Sequence, residues 1–243
     1  MTEHHNRHGA PASRYGTLDV PLSVWQVADA AALTAGLLAE LKPARGPIVT
    51  IDVPGWEAIP RAARHALVLT RDRTAASAVL AELPGAKQGL ARIQPVGQRS
   101  LGARLAAFDG ATGLVIASAW LLDCAGALAA AAHALRPEGM LAIMGQGMAD
   151  QARLSRLSHS PAAVAGANTE GTETAETEEE SPGAFGLVFA GHIVAAPPRV
   201  FDAAVNAAES RRAYRPACPA MARHFDVVLW CKERRSESGG ARD

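Results

Sequence analysis

Short apolar runs recur along this chain, each separated from the next by a segment of helical character. Ile48-Val49-Thr50-Ile51, His65 to Thr70, Leu90 to Val96, Gly113 to Leu122 and Met140 to Met144 are rich in β-branched and large apolar residues. Strands covered on both faces have this composition, because neither face meets water. Between the runs, Glu57 to Arg64, Arg73 to Leu83 and Arg99 to Phe108 read as helices, with Pro60 comfortable only in a first turn. Asp123 to Leu135 is alanine-dense and strongly helical, and Arg136-Pro137-Glu138-Gly139 stops it. Strand, helix, turn and strand over so short a span make a β-α-β unit, and such units cross over right-handed. The pattern predicts an α/β fold: a doubly wound, mainly parallel sheet with helices on both faces.

Outside this centre, Pro21 to Leu41 carries Val24, Val27, Ala31, Leu38 and Leu41 at helical spacing, so a helix is expected there. Order is expected again over Phe185 to Ala196, then a helix over Val200 to Arg212 and a last strand over His224 to Cys231. Residues 1–16 read as a mobile tail whose histidines His4, His5 and His8 lack the spacing of a metal site. Thr169 to Glu180 is a Thr/Glu run without large apolar residues, too polar to offset the entropy of ordering. The expected organisation is one domain over residues 17–235, interrupted by a disordered acidic insertion at about 158–183, with a frayed tail at 236–243.

Composition narrows the function classes. With 24 Lys+Arg against 24 Asp+Glu the formal net charge is +0, so no overall field exists to hold nucleic acid or an anionic membrane surface. Aromatics make up only 5% of the chain, which leaves the core to Ala, Leu and Val. Cys124, Cys218 and Cys231 form no Cys-x-x-Cys pair, a pattern expected of a reducing cytoplasm and not of a disulfide scaffold or zinc site. No apolar run has the length of a membrane span or the form of a signal peptide. A soluble cytoplasmic protein without a bound metal is expected.

The turn Leu135-Arg136-Pro137-Glu138-Gly139-Met140-Leu141 resembles the Leu-Arg-Pro-Gly-Gly-x-Leu turn before the fifth strand of class I, Rossmann-like S-adenosylmethionine-dependent methyltransferases. The run before it is similar to that family's fourth strand and following helix. The alternating last strand resembles the antiparallel strand that closes the family's seven-stranded sheet. The resemblance spans residues 46 to 145 and this strand. It implies S-adenosylmethionine as cofactor and methyl transfer to a small-molecule acceptor. The alternative is a catalytically inactive methyltransferase-like pseudoenzyme serving as a scaffold or partner subunit, for which a protein partner or a homodimer replaces the substrate. A dinucleotide enzyme is disfavoured, because no Gly-x-Gly-x-x-Gly follows any predicted strand.

The resemblance also implies site residues. At the exit of the first family strand, Asp52-Val53-Pro54-Gly55-Trp56 keeps an acid and a glycine of the family's glycine-rich loop. Pro54 and Trp56 stand where small residues belong, and Trp56 either fills the cofactor space or lines a substrate pocket. Asp72 follows the second strand at the distance of a ribose-binding acid, and it reads equally as a helix N-cap. Gln98 replaces the acid usually found near the adenine; its amide can still hydrogen-bond an adenine edge, so it stands as a cofactor-binding candidate, while the departure also supports the pseudoenzyme alternative. Ser118, Trp120 and Asp123 close the fourth strand, where they would face the cofactor and the acceptor. For Asp123 a helix N-cap is the favoured reading over orienting an acceptor, for Trp120 core packing weighs at least as much as a substrate wall, and His133 reads as a packed or surface histidine before a base. No catalytic base is assigned, because methyl transfer is a displacement that positioning accelerates.

Overall fold

In the computed structural model the apolar runs form the centre of one eight-stranded sheet. The structure describes residues 13–15, 18–20, 22–41, 46–62, 66–83, 92–159, 182–198 and 224–234. Two short strands, β1 (Ser13–Tyr15) and β2 (Leu18–Val20), pair with each other at the start. The main sheet holds β3 (Leu22–Gln26), β4 (Ile48–Ile51), β5 (Ala66–Thr70), β6 (Arg92–Pro95), β7 (Thr112–Ser118), β8 (Leu135–Gln146), β9 (Leu187–Ala196) and β10 (Phe225–Lys232). Their spatial order is β3-β9-β10-β8-β7-β4-β5-β6. Every neighbouring pair is parallel except those that β10 makes with β8 and β9, so β10 alone runs against the rest. The predicted doubly wound sheet with an antiparallel last strand is therefore present, and β3 adds an eighth strand at the edge.

Helices cover both faces, as the near-continuous apolar strands require. On one face α1 (Ala30–Glu40), α2 (Ile59–Ala62) and α3 (Arg73–Glu82) pack Leu33, Leu37, Ile59, Ala76 and Val79 against Val68, Leu114 and Ile116. On the other, α4 (Leu101–Ala106), α5 (Ala127–Ala134) and α6 (Gly147–His159) pack Leu101, Leu105, Leu128, Ala131 and Leu154 against Val49, Val115 and Ile143. Each fully buried leucine or isoleucine contributes about 1.5–3 kcal/mol relative to exposure.

Three elements differ from the sequence expectation. Residues 21–41 divide into β3 and α1, because Asp29 caps the helix by accepting from the Ala32 N–H at 2.8 Å, which leaves Val24 and Val27 outside it. Asp123 is not an N-cap: Ala119–Asp123 is a 3-10 turn, and α5 starts after Gly126 at φ 69°. The Arg136 to Gly139 turn lies inside β8 as a bulge, since Thr112 pairs with Leu135 and the next partners are Leu114 and Met140. There Gly139 is needed for packing, as a Cβ would lie 2.8 Å from the Arg136 carbonyl oxygen. Helix α6 has no counterpart in the sequence reading. Of the tail expected over residues 1–16, residues 13–15 form β1, and the rest of it, with most of the acidic insertion, the helix over Val200 to Arg212, Cys218 and the tail at 236–243, lies outside the described residues.

Candidate functional site

Chain order reverses between β4 and β7, since β5 and β6 lie to one side of β4 and β7 and β8 to the other. Loops leaving neighbouring strands in opposite directions open a crevice beyond their carboxyl ends, the usual ligand position in an open α/β sheet. A cleft of about 350 Å³ lies there, lined by Asp52, Pro54, Arg71, Ser118, Ala119, Trp120, Asp123, Met144, Gly145, Gln146, Asp150 and Phe225. Its volume falls at the lower end of the range for small-molecule sites.

Asp52 shapes one wall. It leaves β4 with φ 50°, a left-handed conformation that an aspartate tolerates better than most residues. This twist turns its carboxylate toward the end of β5. Oδ1 accepts from the Arg71 backbone N–H at 3.1 Å and Oδ2 from Arg71 Nε at 2.6 Å. The Arg71 guanidinium in turn lies 4.9 Å from the centre of the Trp120 ring, a cation–π contact. Charge and indole thus both contact the guanidinium, and 57% of the Arg71 side chain remains exposed.

The opposite wall comes from β7, β8 and α6. Ser118 ends β7, and its Oγ is buried without a hydrogen-bond partner among the described residues. Asp150, in the first turn of α6, accepts from the Gln146 N–H at 3.1 Å and ties the helix to the end of β8. Gly145 permits that approach, since a Cβ there would lie 2.6 Å from the Asp150 Cβ. Asp123 pairs with Arg153 Nη2 at 2.7 Å, and Gln98 Nε2 donates to the Asp123 carbonyl, which joins the loops after β6 and β7. Beside these loops, Cys124 has its thiol pushed up to about 11, first by burial and then by the Asp123 carboxylate.

Of the residues predicted from sequence, Asp52, Ser118, Trp120 and Asp123 meet at this cleft. The other four do not line it. Asp72 caps α3, accepting from the Ala75 N–H at 2.8 Å, so the N-cap reading holds for it. Gly55 approaches a helix: at φ 72° its Cα faces α1, where a Cβ would lie 2.4 Å from the Ala31 Cβ. Thr34 reinforces this contact by donating to the Pro54 carbonyl at 2.8 Å. Trp56 neither fills nor lines the cleft; it is buried among Leu33, Leu37 and Ile59 in the core. Gln98 stays exposed on its loop.

Several residues near the cleft were not anticipated. Arg71 was passed over in favour of the neighbouring acid. A buried polar network also stands beside Phe225: His192 Nε2 lies 2.7 Å from Asp226 Oδ1, and His224 Nε2 lies 3.1 Å from Asp226 Oδ2 and 2.8 Å from Gln151 Nε2. The signal was available in part, because His224-Phe225-Asp226 in a strand puts both titratable groups on one face. Among the described residues, no cluster of His, Cys, Asp or Glu is placed to hold a metal, and no helix is long and apolar enough to cross a membrane.

No protein-family profile and no curated protein matches the sequence. Solved structures do match in fold. One is a chain of the complex between the Haloferax volcanii Trm112 methyltransferase activator and its proposed methyltransferase, at TM-score 0.50 and 12% identity, covering 83% of this chain and 88% of that one. The cyclase SpnF aligns at TM-score 0.49 and 13% identity, covering 84% of this chain and 81% of its own. Geranyl diphosphate C-methyltransferase from Streptomyces coelicolor, solved with S-adenosyl-L-homocysteine, aligns at TM-score 0.47 and 12% identity, covering 83% and 79%. At 12% identity the similarity to the Haloferax chain shows a shared fold and leaves the reaction open.

Proposed function

We propose that the cleft binds S-adenosylmethionine and that the protein transfers its methyl group to a small-molecule acceptor. One observation carries this reading: the cleft opens at the switch in strand order between β4 and β7, and Ser118, whose buried Oγ lacks a hydrogen-bond partner among the described residues, is part of its lining. The lining suits such a cofactor. Asp52, Asp123 and Asp150 line it with three carboxylates against the guanidinium of Arg71 in the lining and that of Arg153 paired with Asp123, a net acidic balance that favours a positively charged ligand, and Trp120 and Phe225 offer apolar surface. When bound, the cofactor supplies an electrophilic methyl group. The chain's own residues bind and orient: the Ser118 hydroxyl donates or accepts a hydrogen bond at the floor of the cleft. Trp120, Met144 and Phe225 keep water from one side of it, and Asp150 holds the β8 end in place. Positioning of this kind accelerates a displacement without a general base.

A second reading, the inactive scaffold, is favoured by one specific observation. Asp72 Oδ1 is engaged as an N-cap and Asp72 does not line the cleft, while the Asp52 carboxylate is tied to Arg71, so the acids near the end of β5 are committed to structural contacts. Calorimetry of the full chain with S-adenosylhomocysteine separates the two. Saturable binding that is lost in Ser118→Leu supports the cofactor reading. Absence of binding at millimolar ligand transfers the assignment to the scaffold.

A further inference from the structure

The contact between Arg71, Asp52 and Trp120 has the make-up of a cation-binding seat, with a carboxylate as counter-ion and an indole face as the aromatic wall. In this structure the cation is the protein's own. We propose that Arg71 is a resident plug in a seat for a small onium cation, a sulfonium or quaternary ammonium group, which must displace the guanidinium to bind. The proposal rests on the cofactor reading above, which gives the cleft a ligand carrying such a charge.

Three features support a plug over a structural ion pair. First, the two partners differ in burial: the Asp52 side chain is 13% exposed, whereas that of Arg71 is 57% exposed, so the guanidinium can swing into solvent while the carboxylate stays. Water screens the half-exposed guanidinium, so a competing cation has less to overcome than at a pair buried on both sides. Second, Asp52 adopts φ 50° to aim its carboxylate at this point, and backbone in sparsely populated regions concentrates at ligand sites. Third, the cleft holds carboxylates in excess. Asp123 is answered by Arg153 and Asp150 by the Gln146 N–H, which leaves Asp52 as the anion whose cation stands inside the cleft.

With the plug in place, a ligand cation meets a site that is competent only while Arg71 is swung out, and its apparent affinity falls by that fraction. Removing the side chain exposes both the carboxylate and the indole face. Titration of full-length Arg71→Ala and wild type with trimethylsulfonium and with S-adenosylhomocysteine, whose sulfur is uncharged, tests this. Trimethylsulfonium is expected to bind Arg71→Ala at least about tenfold more tightly than wild type, with the gain lost on adding Trp120→Leu or Asp52→Asn. Arg71→Gln, which keeps most of the stem, is expected to show the same direction and guards against misfolding of the shorter variant. Equal affinity in wild type and both Arg71 variants overturns the plug, as does a gain that survives Asp52→Asn. The two readings fail separately. S-adenosylhomocysteine binding with no change in onium affinity leaves the cofactor reading standing and removes the plug. Onium binding that strengthens in Arg71→Ala, with no S-adenosylhomocysteine binding to any variant, keeps the seat and removes the cofactor.

Discussion

Glu138 shows how a single residue departs from what its position asks for. It takes φ 63° inside the bulge of β8, where the resembling family turn carries glycine. A left-handed conformation costs an L-residue roughly 1–2 kcal/mol, against about 0.5–1 kcal/mol of added chain entropy for glycine. The Glu138 carboxylate does meet Arg234 Nη2 at 2.5 Å, but both side chains are mostly exposed and such a pair is weak. Glu138→Gly is therefore expected to raise the unfolding free energy by roughly 0.5–1 kcal/mol in urea titration. A loss instead would show that the surface pair outweighs backbone strain. Cys124 gives a second expectation at this scale. Its thiol ionises at about 11, so at pH 8 alkylation should run on the order of 100-fold slower than at an ordinary cysteine. The folded state also holds this proton to higher pH than the unfolded chain, whose thiol ionises near 9.0. Its contribution to stability is thus full below pH 9.0 and declines as pH rises toward 11. Rapid alkylation of Cys124 at pH 8 in the folded protein would contradict the burial described here.

Elements were legible wherever local composition and tertiary role agree. β4 and β5 match their predicted strands almost residue for residue, because a short β-branched or apolar run bounded by turn residues has no competing use. The error at residues 21–41 arose where they disagree. Val24 and Val27 fit a helical face as well as a strand, and β3 exists only through its pairing with β9, far away in sequence. Site residues behave in the same way. Asp52 and Ser118 stand at strand ends and could be found by counting, whereas the seat of Arg71 needs a twist at Asp52 and an indole from the β7 exit to meet. Gly55 was recognised as special for the wrong neighbour: the close approach it allows is to α1. Gly55→Ala is expected to lower stability by more than about 1 kcal/mol, since both its φ and its contact with Ala31 oppose a side chain. Ala31→Gly should recover only part of the steric share, because a Gly55 Cβ would still lie 2.7 Å from the Cα of residue 31, and a double-mutant cycle measures that part as a coupling. Additive losses would mean that loop and helix do not touch as described.

For the molecule as a whole, the sheet supplies rigidity and the cleft uses a little of it. Two buried hydroxyls on adjacent central strands test that division. Thr50 Oγ1 on β4 and Ser118 Oγ at the end of β7 both lack a hydrogen-bond partner among the described residues. A buried hydroxyl in that state costs on the order of 1–3 kcal/mol, so replacing it by an apolar group of similar shape should stabilise the protein. Thr50 is wholly enclosed in the sheet, whereas Ser118 lines the cleft, so only one of the two is placed to meet a ligand bound there. Thr50→Val and Ser118→Ala are both expected to raise the melting temperature of the ligand-free protein. Their responses to ligand should then part. Saturation with S-adenosylhomocysteine at about 100 times its dissociation constant adds roughly 2.7 kcal/mol to any state that binds it, and Thr50→Val should keep that increment in full. Ser118→Ala should lose a large share, because the ligand then has no hydroxyl to satisfy at this wall of the cleft. An equal ligand-induced shift in both variants would make Ser118 a packing defect and not a binding group. A loss confined to Ser118→Ala would place the energetic cost of an unsatisfied hydroxyl where this fold puts its ligands, at the reversal of strand order.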